Sequence, residues 1–250
     1  RIKRLVQLNQ KSKLRRTEDV FLAEGVKMFL EAPREQLQEV YVSESFLEKC
    51  SCREHLEEVG YEVVSDSVFS KISDTCTPQG VLCVLKQFHY NIEEMLRDKA
   101  PLFLLLENIQ DPGNLGTMLR TGEGAGVSGI IMSRDTVDLY NPKVIRSTMG
   151  SIYRVPFYYA DDFAAAVHQV QQAGVSVYAA HLRGKNSYAC QDYTKGTAFL
   201  IGNEGNGLRE ETAELADCYI RIPMEGKVES LNAAVASSIL MYEAHRQRAI

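Results

Sequence analysis

Apolar positions along this chain follow two rhythms. Short, largely apolar runs recur at 102–106, 129–132, 175–180, 198–201 and 219–222, the first being the unbroken Leu102-Phe103-Leu104-Leu105-Leu106. Runs of this kind fit strands of a parallel sheet buried on both faces. Most of the stretches between them, notably 162–173, place apolar residues three or four positions apart, which predicts helix. Strands alternating with helices predict an α/β fold over residues 100–250, a mostly parallel sheet with helices on both faces. The last segment, 230–248, sets Leu231, Val235, Ile239 and Tyr242 on one helical stripe. Ser230 is expected to cap or open that helix, with Asn232 in its first turn.

Residues 1–88 predict a smaller α/β unit. Val26, Phe29 and Leu30 recur at helical spacing within 21–30, and strands are expected at 37–42, 61–64 and 80–85. A helix is expected over 46–59, ending at Gly60, and a short one over 68–72. Residues 89–99 are polar apart from Ile92, Met95 and Leu96, which suits a linker helix, and Pro101 marks a boundary. The expected organisation is therefore 1–88, a linker at 89–99, and 100–250.

Composition adds limits. A hydrophobic share of 45% and a charged share of 24% over 250 residues are those of a globular protein. No apolar run approaches the roughly 20 residues of a membrane span, and no signal peptide is evident, so a cytoplasmic protein without a membrane partner is expected. The six cysteines are scattered, which argues against a disulfide framework. Cys50, Cys52 and His55 miss the usual zinc spacings, so no metal is expected. The net charge of −5 argues weakly against nucleic acid. Residues 1–16 argue the other way, with Arg1, Lys3, Arg4, Lys11, Lys13, Arg15 and Arg16 and no acid. A basic arm of that kind can neutralise phosphates.

Three stretches hold more polar and glycine residues than packing requires. The first is 107–121, containing Asn114 and Arg120. The second is Gly202-Asn203-Glu204-Gly205-Asn206-Gly207, between a predicted strand and a helix-like run. Its glycines let backbone approach a ligand, and strand ends are where ligands bind in open α/β sheets. A central carboxylate argues against a phosphate ligand, since like charges repel at contact. The third is 222–234, with Ser230 and Asn232. A literal G-x-G-x-x-G at 124–129 is rejected as a dinucleotide fingerprint, because the predicted helix precedes it and the strand follows.

In order and separation, these stretches resemble motifs 1, 2 and 3 of the SpoU (TrmH) family of RNA ribose 2′-O-methyltransferases. Asn141 to Ser151 resembles the family's segment between motifs 1 and 2. Residues 1–88, with Ala23-Glu24-Gly25 and Thr77-Pro78-Gln79-Gly80, resemble the L30e-like substrate-binding domain that often precedes it.

The resemblance implies a SPOUT-type trefoil-knotted catalytic domain, S-adenosylmethionine as cofactor, a homodimer with the active site near its interface, and RNA as substrate. Ribosomal RNA is the favoured target, a guanosine of 23S rRNA, with transfer RNA or a catalytically inactive RNA-binding relative as alternatives. It assigns catalysis to Arg120, Glu204, Asn232, Asn114 and Ser230. Backbone at Gly202, Ile222 and Leu231 would hold the adenosine, with Asn203 beside it and apolar walls from Pro223 and Met224. Lys143, Arg146, Arg15 and Arg16 would meet RNA phosphates, which position RNA without reading its sequence. A guanidinium keeps its proton at neutral pH, so Arg120 is expected to stabilise the developing alkoxide rather than act as a simple base. Glu204 would orient Arg120 or face the cationic cofactor.

Overall fold

The computed structural model describes residues 1–249. The chain begins with α1 (Ile2–Gln10), α2 (Ser12–Glu18), β1 (Val20–Glu24), α3 (Val26–Leu30), β2 (Leu37–Ser43) and α4 (Glu44–Lys49). Next come α5 (Arg53–Val59), β3 (Glu62–Val64), α6 (Asp66–Ile72), β4 (Val81–Lys86), α7 (Ile92–Met95), β5 (Leu102–Leu106) and α8 (Pro112–Ala125). They are followed by β6 (Gly129–Ser133), α9 (Pro142–Thr148), β7 (Phe157–Ala160), α10 (Phe163–Gln172) and β8 (Ser176–Ala180). The chain closes with β9 (Asn186–Ser187), β10 (Thr197–Ile201), α11 (Glu210–Ala213), β11 (Cys218–Arg221) and α12 (Ala233–Arg248). Contacts divide it into two units: Arg1–Phe88 with Asp138–Tyr153, and His89–Val137 with the chain from Arg154 onward. The insert carrying α9 thus packs with the first unit, although in sequence it lies within 100–250.

The first unit is built on a four-stranded sheet of order β1-β4-β2-β3. The segment expected as a basic arm is folded into α1 and α2. Leu5 and Leu8 of α1 are fully buried, in one core with Tyr41, Phe69 and Ile72. The period of its apolar residues, masked by the basic ones between them, makes this an amphipathic helix. Several of the bases hold the fold. Arg1 pairs with Glu62, and Arg4 with Glu18 and Glu39. Arg15 is 3% exposed, donates to the carbonyls of Leu8 (2.6 Å) and Asn9 (3.1 Å), and pairs with Asp138 at 2.6 Å. It is therefore not available to an RNA phosphate, contrary to expectation. Lys3, Lys11, Lys13 and Arg16 remain exposed. The expected helix over 46–59 is two helices broken between Lys49 and Arg53, and 21–30 is a strand turning into a helix at Gly25.

The second unit carries a seven-stranded sheet of order β7-β6-β5-β10-β8-β11-β9, parallel throughout. Every residue of β5 is buried between β6 and β10, as its apolar run requires. The chain steps outward from β5 through β6 to β7, then returns to the far side with β8, and β10 inserts between β5 and β8. That reversal places a switch point beside β5, where loops leaving the carboxyl ends diverge and open a crevice. Strand β7 was not expected; its central Tyr158 and Tyr159 are only half-buried at a sheet edge, so it lacks an unbroken apolar run.

Two helices flank the crevice. Asp111 caps α8 by accepting from the Asn114 N–H (2.8 Å), and Pro112 occupies the first turn. The helix ends at Gly126, in the left-handed region at φ 78, with the Val127 N–H donating back to the Gly122 carbonyl (2.8 Å). The literal glycine motif at 124–129 is this helix-to-strand junction.

Helix α12 begins at Ala233, not Ser230, and its cap is Asn232, which accepts from the N–H groups of Ala234 (2.9 Å) and Val235 (3.3 Å). It packs on α8 through a face of mostly small residues, Ala233, Ala234, Ser237, Leu240, Met241 and Ala244. The expected stripe faces elsewhere: Val235 is 47% and Tyr242 49% exposed.

Replacing Arg15 with Ala is expected to lower stability by about 2–3 kcal/mol, below the usual cost of breaking a buried ion pair because water still reaches Asp138. Urea unfolding of parent and variant checks this, and a change within ~0.5 kcal/mol, the usual surface value, would contradict it.

Candidate active site

Three loops leave the carboxyl ends of β5, β10 and β11, and one carboxylate ties them together. Glu204, in the loop after β10, accepts from the backbone N–H groups of Gln110 (3.1 Å) and Asp111 (3.0 Å) in the loop after β5. It also accepts from the Asn114 side-chain amide (3.0 Å) on the first turn of α8. Asn114 in turn accepts from the Asn232 amide (3.0 Å), at the end of the loop after β11. The line Glu204, Asn114, Asn232 therefore draws one residue from each of the three sequence stretches.

The glycine loop is self-tied. Asn203 and Gly207 exchange backbone hydrogen bonds (3.1 and 2.9 Å), and the Asn203 side-chain oxygen accepts from the N–H groups of Gly205 and Asn206, both at 3.0 Å. Its amide reaches across to the Asn108 carbonyl (2.8 Å). Gly202 is compelled by packing: a Cβ there would lie 2.2 Å from the Gly207 carbonyl carbon and the Leu208 nitrogen.

Burial alone would raise the Glu204 carboxyl pKa. The donors from Asn114, Asp111 and Gln110 more than offset this and hold it below its usual value. Every one of these donors is neutral, so the expected pairing with Arg120 is not made. Asn114 and Arg120 are six residues apart, which on a helix sets them about 120° from one another. Arg120 is exposed on α8 and makes no hydrogen bond or ion pair among the described residues.

Two hollows meet at the glycine loop. One is a cavity of about 270 Å³ at the ends of β8, β10 and β11. Of the residues expected at the cofactor, Gly202, Asn203, Ile222, Met224 and Leu231 line it, together with Glu204 and Ser230; Pro223 does not. The other is an open polar groove lined by Asn114, Asn203, Glu204 and Asn232. Asn203, Glu204 and Gly205 belong to both, so a group bound in the cavity faces whatever lies in the groove.

Sequence reasoning missed His181 and Leu182, which line the cavity from the end of β8. Their signal was position: they directly follow a predicted parallel strand. The His181 ring stacks on Tyr219 (centroids 5.0 Å apart), and burial and then Arg183 lower its pKa against the opposing pull of Glu210. Its Nδ1 lies 3.1 Å from the Arg183 N–H and accepts from it, so in the neutral ring Nε2 carries the proton. Arg221 brings a cation to the cavity and Glu229 a second carboxylate. Of the residues expected at RNA phosphates, Lys143 and Arg16 are exposed, and Arg146 is exposed with Asp74 3.6 Å away. No group of three His, Cys, Asp or Glu able to hold a metal ion occurs among the described residues, and no helix there is long and apolar enough to cross a membrane.

The SpoU rRNA Methylase family profile matches residues 101–242, and that of the MRM3-like substrate binding domain matches residues 1–83. The chain is 35% identical over 180 residues to the 23S rRNA (guanosine(2553)-2′-O)-methyltransferase RlmP of Bacillus subtilis, covering 72% of this chain and 70% of that one. It is 32% identical over 222 residues to the 23S rRNA (guanosine-2′-O-)-methyltransferase RlmB of Bordetella pertussis, covering 86% of this chain and 91% of the relative. Among solved structures, the AdoMet-bound rRNA methyltransferase of Sinorhizobium meliloti superimposes with a TM-score of 0.83 at 31% identity, covering 98% of this chain and 94% of that one.

Glu204→Gln is expected to cost about 1–2 kcal/mol of stability at neutral pH, the value of charge-assisted hydrogen bonds with part of the group still wet. The folded pKa is depressed, so the carboxylate's contribution is present above the unfolded value and is lost as pH falls through the folded one. Urea unfolding across the acid range should therefore show parent and variant converging at low pH; a gap that widens there would contradict the role given to Glu204.

Proposed function

The chain belongs to the SpoU rRNA Methylase family of S-adenosylmethionine-dependent RNA ribose 2′-O-methyltransferases, and we propose that its own substrate is 23S ribosomal RNA, methylated at a guanosine. The meeting of the cavity and the polar groove at Asn203, Glu204 and Gly205 carries the assignment of the reaction to this site. The names of the two relatives support the RNA class, as does the match of residues 1–83 to a substrate-binding domain. A cytoplasmic location belongs to the same proposal.

The cavity fits the cofactor. Its floor is backbone brought close by Gly202, its walls include Ile222, Met224 and Leu231, and Glu204 and Glu229 supply negative charge for a cation. When bound, S-adenosylmethionine supplies an electrophilic methyl group on a sulfonium. The protein must then present a ribose 2′-hydroxyl in line and manage its proton. Asn232 spends its side-chain oxygen on capping α12 and one amide hydrogen on Asn114, which leaves an amide hydrogen for the ribose. Asn114 spends one amide hydrogen on Glu204 and has the other to offer. Arg120 stabilises the alkoxide as the hydroxyl loses its proton, with an RNA phosphate or water as acceptor. Ser230, exposed at the rim, shapes the pocket. Lys143, Arg146 and Arg16 hold phosphates.

We further propose a homodimer with the active site near its interface. The exposed Val235 and Tyr242 on α12, with the half-buried Ile239 between them, support it, as does an Arg120 without a partner among the described residues. A trefoil knot near the C-terminus is supported by the insertion of β10 between β5 and β8 and by the return of α12 to α8 and β5.

Arg120→Ala is expected to cut methyl transfer by about a hundredfold or more with cofactor affinity, measured by calorimetry, near the parent's; near-parental turnover would remove its role. Gly202→Ala should do the reverse, losing cofactor affinity first, because the added methyl displaces the loop backbone. Mapping 2′-O-methyl sites in RNA from a deletion strain tests the target: the absence of one guanosine methylation in 23S rRNA is expected, and loss from transfer RNA instead would overturn it.

A further inference from the structure

The unit formed by Arg1–Phe88 and Asp138–Tyr153 holds a separate cavity of about 370 Å³ that the methyl-transfer site does not use. Volumes above roughly 300 Å³ suit small-ligand sites. Its walls come from the junction of β1 and α3, the loop 73–79 and the end of α9. Lys27 and Arg146 bring two cations, Glu24 and Asp74 two carboxylates, Met28 and Met149 two thioethers, and Gln79 an amide.

Met28 forms a buried wall of the cavity, 5% exposed, and the other groups are poised for a ligand. The cations have only loose partners, Glu31 at 3.7 Å from Lys27 and Asp74 at 3.6 Å from Arg146. Partly exposed pairs of this kind are worth little and yield readily to a phosphate. Glu24 is pre-oriented by the hydroxyls of Ser73 (2.8 Å) and Thr75 (2.9 Å). Gln79 spends its side-chain oxygen on the Val26 N–H (3.2 Å), and its amide hydrogens have no partner among the described residues. Met149 is the clearest sign. It sits in the left-handed region (φ 51, ψ 34) at the end of α9, a place that favours glycine, yet it carries a long side chain that is 39% exposed. The next residue, Gly150, also has positive φ (99), so two consecutive residues of this turn take that region and the first of them carries a thioether.

We infer that this cavity receives one unpaired nucleotide of the RNA substrate. Lys27 and Arg146 hold its phosphate, and the thioethers of Met28 and Met149 lie against its base. Glu24 and the Gln79 amide offer an acceptor and donors to the base edge. Single-stranded RNA is recognised through bases splayed from the stack, and polarisable sulfur packs well against aromatic rings. The inference rests on the RNA reading above.

The test measures binding of a fluorescein-labelled, short, single-stranded RNA of random sequence to the full chain, by anisotropy over a salt series. Lys27→Ala with Arg146→Ala should weaken binding about tenfold or more and make the salt slope shallower by about 0.7, the value for one neutralised phosphate on a single strand. Met149→Gly should weaken RNA binding about fivefold or more, as loss of a stacking contact does. Its melting temperature should stay level or rise, since glycine suits the backbone there. A purely structural methionine would move the two readouts together. Parental RNA affinity in Met149→Gly overturns the nucleotide cavity, even if the charge variant weakens binding. Cofactor calorimetry on the same samples reports separately: a parent that fails to bind S-adenosylmethionine overturns the methyltransferase reading, not the cavity.

Discussion

The Glu204 carboxylate holds the site together. A parallel sheet brings the ends of β5, β10 and β11 near one another, but it leaves the loops beyond them free to splay. Glu204 removes that freedom by accepting from two backbone N–H groups and one amide of the loop and helix after β5. Asn114 passes the connection on to Asn232. Glu107 performs the same service at the other end of the glycine loop. It is 1% exposed and accepts from the Arg209 N–H (2.8 Å) and the Thr212 hydroxyl. Burying a carboxylate, fully as at Glu107 or partly as at Glu204, is costly, and it is tolerated in both places because the oxygens are met by donors.

This use of Glu204 shapes the chemistry. A carboxylate saturated by neutral donors is a fixed negative edge between an apolar cavity and a polar groove, which suits a cationic ligand on one side and a hydroxyl on the other. It also leaves Arg120 without an acidic partner among the described residues. The guanidinium is thus exposed and unpaired among the described residues, as the role proposed for it requires. Helix α12 buries Leu240 and Met241 among small residues on the face toward α8 and keeps Val235 and Tyr242 outward.

Much of the fold was legible because it rests on local pattern. The unbroken run 102–106 could only be a strand buried on both faces, and it is the strand beside the switch point. The three polar stretches announced the site by being more polar and glycine-rich than packing needs. What escaped depended on partners distant in sequence. Arg15 looks like its basic neighbours until Asp138, 123 residues on, is seen beside it. Residues 1–16 read as an arm because charges obscured the two leucines that anchor α1. Val235 and Tyr242 fall on one apolar stripe, but a stripe shows that a face is apolar and not what covers it. The placement of α9 with the first unit, and with it the cavity holding Met149, had no sequence signal.

The central claim is that the three loops present a ribose hydroxyl, not a base, to the methyl donor. Transfer of radiolabelled methyl from S-adenosylmethionine to ribosomal RNA, followed by complete alkaline hydrolysis, tests it most directly. A 2′-O-methyl group removes the hydroxyl that alkaline cleavage requires, so the label should appear in alkali-resistant dinucleotides. Label recovered in mononucleotides would place the methyl on a base and contradict the claim.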